Sequence, residues 1–439
     1  MSTTPSWSFE TRQIHAGQTP DAATGARALP IYQTTSFVFP DAGVAADRFA
    51  LKDLGPIYTR IGNPTTEAVE NRLASLEGGV GALLLASGQA ATTFAILNVA
   101  EAGDHVVASP SLYGGTYNLL HHTLPRMGIT TTFVSDPHDP QAWLDAVQPN
   151  TKLFFAETIP NPQADVLDIA AVADAAHSSG VPLVVDNTVA TPYLIRPIEW
   201  GADVVVHSAT KYLGGHGSAI GGVIVDAGTF DYAQHPDRFT SFNTPDASYH
   251  GLVYARDLGV GSAFGANLSY ILKARVQLLR DLGSSISPST RSSSPRASRR
   301  CRCGWSATSR TPRRSPSGST RGTTSWACAT PAWRRARGSS GRRSTPRAAP
   351  ARCSRSRSRG REAGQAFVSA LELHSNVANI GDVRSLVIHP ASTTHSQLTA
   401  EEQALSGVTP GLVRLAVGIE HIDDILADLE AGFRAAKGA

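Results

Sequence analysis

Seven short runs of mostly β-branched or aliphatic residues recur between residues 81 and 226, reading GALLLA, DHVVAS, TTTFVS, KLFFAE, PLVVDN, DVVVHS and GGVIVD. Their apolar residues are contiguous rather than alternating with polar ones. That is the pattern of strands buried on both faces, and it predicts a wound α/β sheet. Between two of them DIAAVADAAHSSG, residues 168–180, starts on Asp and stops at Gly, which predicts a crossover helix. Near the C-terminus FVSALELHSNVANIGDVRSLVIHP and LVRLAVGIEHIDDILADLEAGFRAA predict the strands and helices of a smaller C-terminal α/β domain. The apolar runs are too short to span a bilayer, and the start MSTTPSWSFETRQIHAG lacks the basic-then-apolar order of a signal peptide. A soluble, cytoplasmic protein is expected, with no membrane partner.

Length and composition add room rather than detail. The 439 residues, 41% of them hydrophobic, suffice for one large two-domain enzyme or for two or three domains. Charge changes the picture more. Residues 289–361 hold twenty of the 39 basic residues and none of the 36 acidic ones, so the remainder is net acidic. All four cysteines, Cys301, Cys303, Cys328 and Cys353, also lie there, which leaves no thiols elsewhere for a metal or disulfide framework, and no metal site is expected.

Only Ala, Arg, Cys, Gly, Pro, Ser, Thr and Trp occur in that stretch. A basic insert or an RNA-binding segment would account for the arginines and serines. Neither accounts for keeping tryptophan and cysteine while every aliphatic residue larger than Ala disappears. These eight types are the ones whose codons carry G or C in the middle position, as expected when a GC-rich gene is read one base out of frame. Permitted codons let SPRASRRCRCGWSAT be re-read as IAQGLETLSLRVERH and SRSRSRG as LAFEIAG, a helical pattern and a strand. The stretch is therefore read as out of frame from near Pro288 to near Arg361. As written it is expected to be disordered, and the elements that should pack beside SLVIHP and LVRLAVG are expected to be missing.

The chemistry concentrates in residues 184–217, VVDNTVATPYLIRPIEWGADVVVHSATKYLGGHG. Asp186 falls at the carboxyl end of one predicted strand and Lys211 just past the next, where α/β sheets place ligands. A lysine in such a turn can form a Schiff base with a phosphorylated aldehyde, and a nearby carboxylate can keep a pyridine nitrogen protonated. Taken singly, a surface lysine in a Gly-rich turn and a helix-capping aspartate are the favoured readings. The strand-to-helix turn at Ser87-Gly88-Gln89 offers backbone N–H groups for phosphate, and Tyr113 is an aromatic able to stack on a flat ring.

The motifs YTRIGNPT, ASGQAA, SLYGGTY, ETIPNP, VVDNT, HSATKYLGGH, GDVRSLVIHPASTTHS and GLVRLAVGIE together make the chain resemble the Cys/Met-metabolism family of pyridoxal-phosphate enzymes. IHAGQTPDAATGARALPIYQTTSFVF and FNTPDASYHGLVYARDLG most resemble its O-acetylhomoserine sulfhydrylase branch. The resemblance implies the aspartate-aminotransferase-like fold (fold type I), with a mostly parallel seven-stranded large domain and a smaller C-terminal α/β domain. It divides the chain into an N-terminal arm reaching a neighbouring subunit (1–60), a cofactor domain (61–265) and a C-terminal domain (266–439). It implies pyridoxal 5'-phosphate joined to Lys211, with Asp186 on the ring nitrogen and Tyr113 stacked on the ring and assisting proton transfer. Gly88, Gln89, Ser208 and Thr210 would hold the phosphate with Tyr58 and Arg60 of a neighbouring subunit, making a dimer the minimum unit and a tetramer the expected one. Asn161 would lie near the ring hydroxyl, and Arg414, with Ser385 beside it, would clasp the substrate α-carboxylate.

The implied reaction is γ-replacement on O-acetyl-L-homoserine by sulfide, giving homocysteine and acetate. Cystathionine γ-synthase and methionine γ-lyase chemistry are the alternatives within the family. Outside it stand a basic nucleic-acid-binding protein and an inactive frameshifted product. The enzyme reading carries no nucleic-acid partner.

Overall fold

A computed structural model describes residues 7–290, 353–357, 360–405 and 407–439. Its centre is a seven-stranded sheet formed by β1 (Gly81–Leu85), β2 (His105–Ala108), β3 (Thr130–Phe133), β4 (Thr151–Glu157), β5 (Leu183–Asp186), β6 (Val204–Ser208) and β7 (Gly222–Asp226), in the order β1-β7-β6-β5-β4-β2-β3. Strands β3, β2, β4, β5 and β6 run parallel, and β7 runs antiparallel to both β6 and β1. Each of the seven apolar runs becomes a strand.

The continuous runs follow from having cover on both faces. Val185, Val205, Val223 and Val225 pack with the helices Pro64–Glu77 and Ile169–Ser178, whereas Val184, Val204, Val206 and Ile224 pack with Gly88–Leu97 and the residues around Tyr270. Burying a Val or Ile on either face contributes about 1.5–3 kcal/mol, so there is no position for a polar alternation. The predicted crossover helix forms at Ile169–Ser178. Asp168 caps it by accepting from the Ala171 N–H at 3.2 Å, and the chain leaves it through Gly180 at φ 69°.

A smaller sheet lies toward the C-terminus, ordered β8 (Cys353–Arg357), β11 (Leu412–Ala416), β10 (Leu386–Ile388), β9 (Ser375–Asn376). Helices Arg361–Ser369 and Ile422–Gly438 cover it, with Phe367, Val368, Leu429 and Phe433 meeting Val387, Val413 and Leu415.

Two sequence expectations need revision. The segment 269–282, assigned to the C-terminal domain, packs on the large sheet. There the Tyr270 hydroxyl donates to Ala95 O at 2.9 Å, Lys273 Nζ to Asn98 O at 2.8 Å and Arg275 to Glu70 at 2.8 Å. Its apolar face belongs to the same core as β7, so the sheet retains this helix past residue 265. In the arginine-rich stretch, residues 353–357 are not left without partners, since β8 pairs antiparallel with β11 through Arg355↔Arg414. Such a ladder is made by backbone N–H and C=O groups and does not require apolar side chains. The expectation of disorder for 291–352 lies outside the described residues.

The arm holds partly to its own chain, with Arg72 Nε donating to Ala16 O at 2.9 Å and Asn63 Nδ2 to Tyr32 O at 2.9 Å. Val38, Phe49, Leu54 and Tyr58 on the same arm stay exposed. No helix among the described residues is long and apolar enough to cross a membrane, and they contain no cluster of His, Cys, Asp or Glu suited to a metal ion.

Candidate active site

The site forms where β4, β5 and β6 end. The β4–β5 register sets Glu157 opposite Asp186, and the chain leaving β6 turns tightly so that Lys211 N–H donates to Ser208 O at 3.1 Å. Against this edge stands the N-terminus of helix Gly88–Leu97, capped by Ser87 Oγ accepting from the Ala90 N–H at 3.1 Å. Gly88 is required by proximity. A Cβ there would lie 2.5 Å from Ser208 Cβ, so only glycine lets the helix end sit beside Ser208. Helix N–H groups and a serine at this junction form an anion cradle.

Asp186 is half-buried. Burial raises its pKa, opposed by hydrogen bonds from Thr188, whose N–H donates at 2.8 Å, and by the nearby His207. Glu157 is raised well above the ordinary carboxyl range, first by burial and then by the charge of Asp186. Two neighbouring carboxyl groups in a desolvated site do not both ionise readily, so the pair binds a proton more readily than either carboxyl would alone. Glu157 also fixes two turns, accepting from the N–H of Tyr113 at 2.6 Å and of Asn161 at 3.3 Å.

The amine of Lys211 is held below its ordinary pKa, first by burial and then by the positive charge of Arg414, which favours the nucleophilic neutral form. Lys211 Nζ donates to Asn379 Oδ1 at 2.6 Å. Arg414, 5% exposed, donates from Nη1 to Asn161 Oδ1 at 3.1 Å and from Nη2 to Asn379 O at 2.8 Å. His395 is buried and neutral, its pKa lowered to about 4 by burial and then by Arg414. Its Nδ1 meets Thr394 Oγ1 at 2.9 Å, and no partner for its Nε2 occurs among the described residues.

The residues anticipated from sequence are therefore distributed unevenly. Gly88 and Ser208 are brought into contact, and Lys211, Asn161 and Arg414 are linked through Asn379 and one another. Gln89 spends its side-chain amide on Gly115 O at 3.1 Å, and the Thr210 hydroxyl accepts from the Gly221 N–H at 3.1 Å, so their side chains brace the loops around the cradle. Tyr113 is 49% exposed, anchored by its backbone to Glu157. Ser385 is fully buried, donating its hydroxyl to Glu420 Oε2 at 2.9 Å and accepting from the Gly418 N–H at 3.0 Å. Tyr58 and Arg60 pair with each other on the surface at 5.4 Å from guanidinium to ring, and no contact among the described residues ties them to Lys211. Glu157, Asn379 and His395 were not singled out from sequence, although ETIPNP contained the first of them.

This arrangement fits a phosphorylated pyridine aldehyde. The cradle at Gly88 suits its phosphate, the desolvated carboxyl of Asp186 suits a protonated ring nitrogen, and the amine of Lys211, held below its ordinary pKa, suits a carbonyl carbon.

Comparison with known proteins agrees. The family model described as Cys/Met metabolism PLP-dependent enzyme matches residues 10–290 and 354–434, breaking over most of the arginine-rich stretch. The O-acetyl-L-homoserine sulfhydrylase of Corynebacterium glutamicum is 52% identical, over 98% of this chain and 97% of its own length. The enzyme of the same description from Leptospira meyeri is 48% identical, over 97% of this chain and 96% of its own. Among solved structures, a candidate O-acetylhomoserine (thiol)-lyase from Campylobacter jejuni carrying a pyridoxyl-lysine phosphate superposes with a TM-score of 0.86 at 31% identity, covering 98% of this chain and 100% of its own. From fold, site and relatives together, this chain belongs to the Cys/Met metabolism family of pyridoxal-phosphate-dependent enzymes.

Proposed function

We propose that this chain catalyses γ-replacement on O-acetyl-L-homoserine, with sulfide displacing acetate to give L-homocysteine. The observation that carries the reading is the joining of Lys211 and Arg414 through Asn379, in a chain 52% identical to an O-acetyl-L-homoserine sulfhydrylase. Arg414 receives the substrate α-carboxylate, as a guanidinium fixed at two of its nitrogens offers a planar pair of donors. Gly88, Gln89, Ser208 and Thr210 would hold pyridoxal phosphate, joined to Lys211, which when bound would supply a carbonyl for the substrate amine and a ring that withdraws electrons from the adjacent carbon. Asp186 would face the ring nitrogen, with Glu157 beside it on β4. Lys211 Nζ, once free, moves protons one at a time, taking the Cα proton and passing it on before it takes one from Cβ of the substrate. Tyr113, held by Glu157 at the mouth of the site, stacks over the ring and assists. The Cγ–O bond then breaks, acetate leaves with the electron pair, and sulfide forms the new bond at Cγ. Lys211 returns the protons.

Exposed Tyr58 and Arg60 support a site completed by a neighbouring subunit, so a dimer is the smallest active unit in this reading. The break in the family match supports the out-of-frame reading of the stretch beginning at residue 289. Rates with sulfide and with cysteine as co-substrates, at equal O-acetylhomoserine, test the assignment. Homocysteine from sulfide at a much higher kcat/KM is expected, and cystathionine from cysteine as the main product would replace the assignment with γ-synthase activity.

A further inference from the structure

Asn379 presents two different oxygens to two functional cations. Its side-chain Oδ1 accepts from Lys211 Nζ at 2.6 Å, and its main-chain carbonyl accepts from Arg414 Nη2 at 2.8 Å. The residue lies 168 positions from the lysine in sequence, on the loop leading into β10. That loop is pressed onto the lysine turn. Gly381, at φ +75°, approaches so closely that a Cβ would lie 2.5 Å from Tyr212 N and 3.0 Å from Lys211 Cα, and Val383 N–H donates to Gly215 O at 2.9 Å. The contact is therefore held by backbone on both sides rather than by one rotamer.

We propose that Asn379 is a positioning residue that docks the Lys211 amine whenever it is free, orienting it for proton transfer and linking it to the arginine that grips the substrate. The proposal rests on Lys211 being the cofactor lysine. An amide oxygen is an acceptor only, so it orients an amine through one N–H without competing for its lone pair. That leaves the amine directed each time the substrate releases it, where a freely rotating side chain would have to find its geometry anew. Among the described residues the charge acting on the lysine is that of Arg414 on β11; His395 sits beside Arg414, and Asp382, near His216 of the lysine turn, is paired with Arg384 at 2.8 Å on the Asn379 loop. Arg414 opposes the charged amine and Asn379 favours it.

Two substitutions separate the two oxygens. Asn379→Ala deletes Oδ1 and keeps the carbonyl that holds Arg414, so kcat should fall by roughly ten- to a hundredfold while KM for O-acetylhomoserine stays within about threefold. Asn379→Asp keeps the shape and adds charge. In apoenzyme, labelling of Lys211 by trinitrobenzenesulfonate, followed by peptide mapping across pH, should then show a midpoint raised by about one unit or more. A labelling midpoint in Asn379→Asp equal to wild type, or kcat within twofold in Asn379→Ala, overturns the proposal. Equal losses in kcat, KM and melting temperature with no shift in the labelling midpoint also overturn it, because that is the signature of packing alone. Because Asp matches Asn in volume, the labelling arm stands even if the alanine variant folds poorly. Borohydride reduction of the wild-type enzyme with pyridoxal phosphate, if it labelled another lysine, would refute the cofactor assignment instead and so distinguishes the two failures.

Discussion

Arg414→Lys isolates the geometry of carboxylate recognition from its charge. In the native chain Nη1 donates to Asn161 Oδ1 at 3.1 Å and Nη2 to Asn379 O at 2.8 Å, with the side chain 5% exposed. Lysine keeps the positive charge but concentrates its donors on one nitrogen, which cannot hold two anchors separated across a guanidinium and still offer a planar pair to a carboxylate. The loss of one hydrogen bond to a charged group costs about 1.5–3 kcal/mol. At about 1.4 kcal/mol per tenfold, this predicts a rise in KM for O-acetylhomoserine of roughly ten- to 150-fold. Affinity for pyridoxal phosphate should change by less than about threefold, because the cradle at Gly88 and Ser208 is built without Arg414. Steady-state kinetics and a fluorescence titration of apoenzyme with cofactor measure the two quantities. Arg414→Met adds a charge test. Without the arginine's repulsion the Lys211 amine rises in pKa, so any acid limb of kcat that reports this amine should move to higher pH. An unchanged KM in Arg414→Lys, or a loss confined to cofactor binding, would refute the reasoning and move carboxylate recognition to another residue.

Two further outcomes follow from groups away from the substrate. Asp226 is 4% exposed and its pKa is raised to about 7 by burial, so between the unfolded value and pH 7 the folded state binds the extra proton and stability falls as pH rises. Asn at this position can keep the bond that Asp226 Oδ1 accepts from the Gly228 N–H at 2.8 Å. Asp226→Asn should therefore reduce the loss of melting temperature between pH 5 and pH 8, by an amount worth on the order of a few kcal/mol at most, and equal losses in both proteins would contradict this. A frame-corrected chain with residues 289–361 re-read should surpass the sequence as written in sulfhydrylase activity and in resistance to limited proteolysis. Equal activity with protease resistance throughout that stretch in both would contradict the out-of-frame reading.

Much of the fold was legible in sequence because burial on both faces leaves a one-dimensional trace. The valines of PLVVDN and DVVVHS had no polar alternation to hide them, and the strand ends they define located Asp186 and Lys211. What stayed illegible depends on contacts between distant segments. Glu157 has its pKa raised first by burial and then by Asp186, which the β4–β5 register sets opposite it, and Asn379 reaches Lys211 across 168 residues. Ser385, expected beside Arg414 at the substrate carboxylate, has its hydroxyl bonded to Glu420 and Gly418, partners that the local pattern could not reveal. The large-domain boundary was misplaced for a similar reason. Tyr270 and Lys273 read as ordinary helix residues until their bonds to Ala95 and Asn98 fasten them to the large sheet. β8 coincides with the strand seen only when SRSRSRG is re-read as LAFEIAG; as written, CSRSR carries no strand signal, and its pairing with β11 is a property of backbone.

We propose that Lys211 is the residue that binds the cofactor covalently. Borohydride reduction of the frame-corrected enzyme in the presence of pyridoxal phosphate, followed by peptide mapping, measures it directly. The account predicts a reduced pyridoxyl group on Lys211 and no stoichiometric label in Lys211→Ala. Stoichiometric label on Lys152, which is tied to Asp104 at 3.4 Å, or on Lys273, whose burial lowers its pKa to about 8, would contradict it.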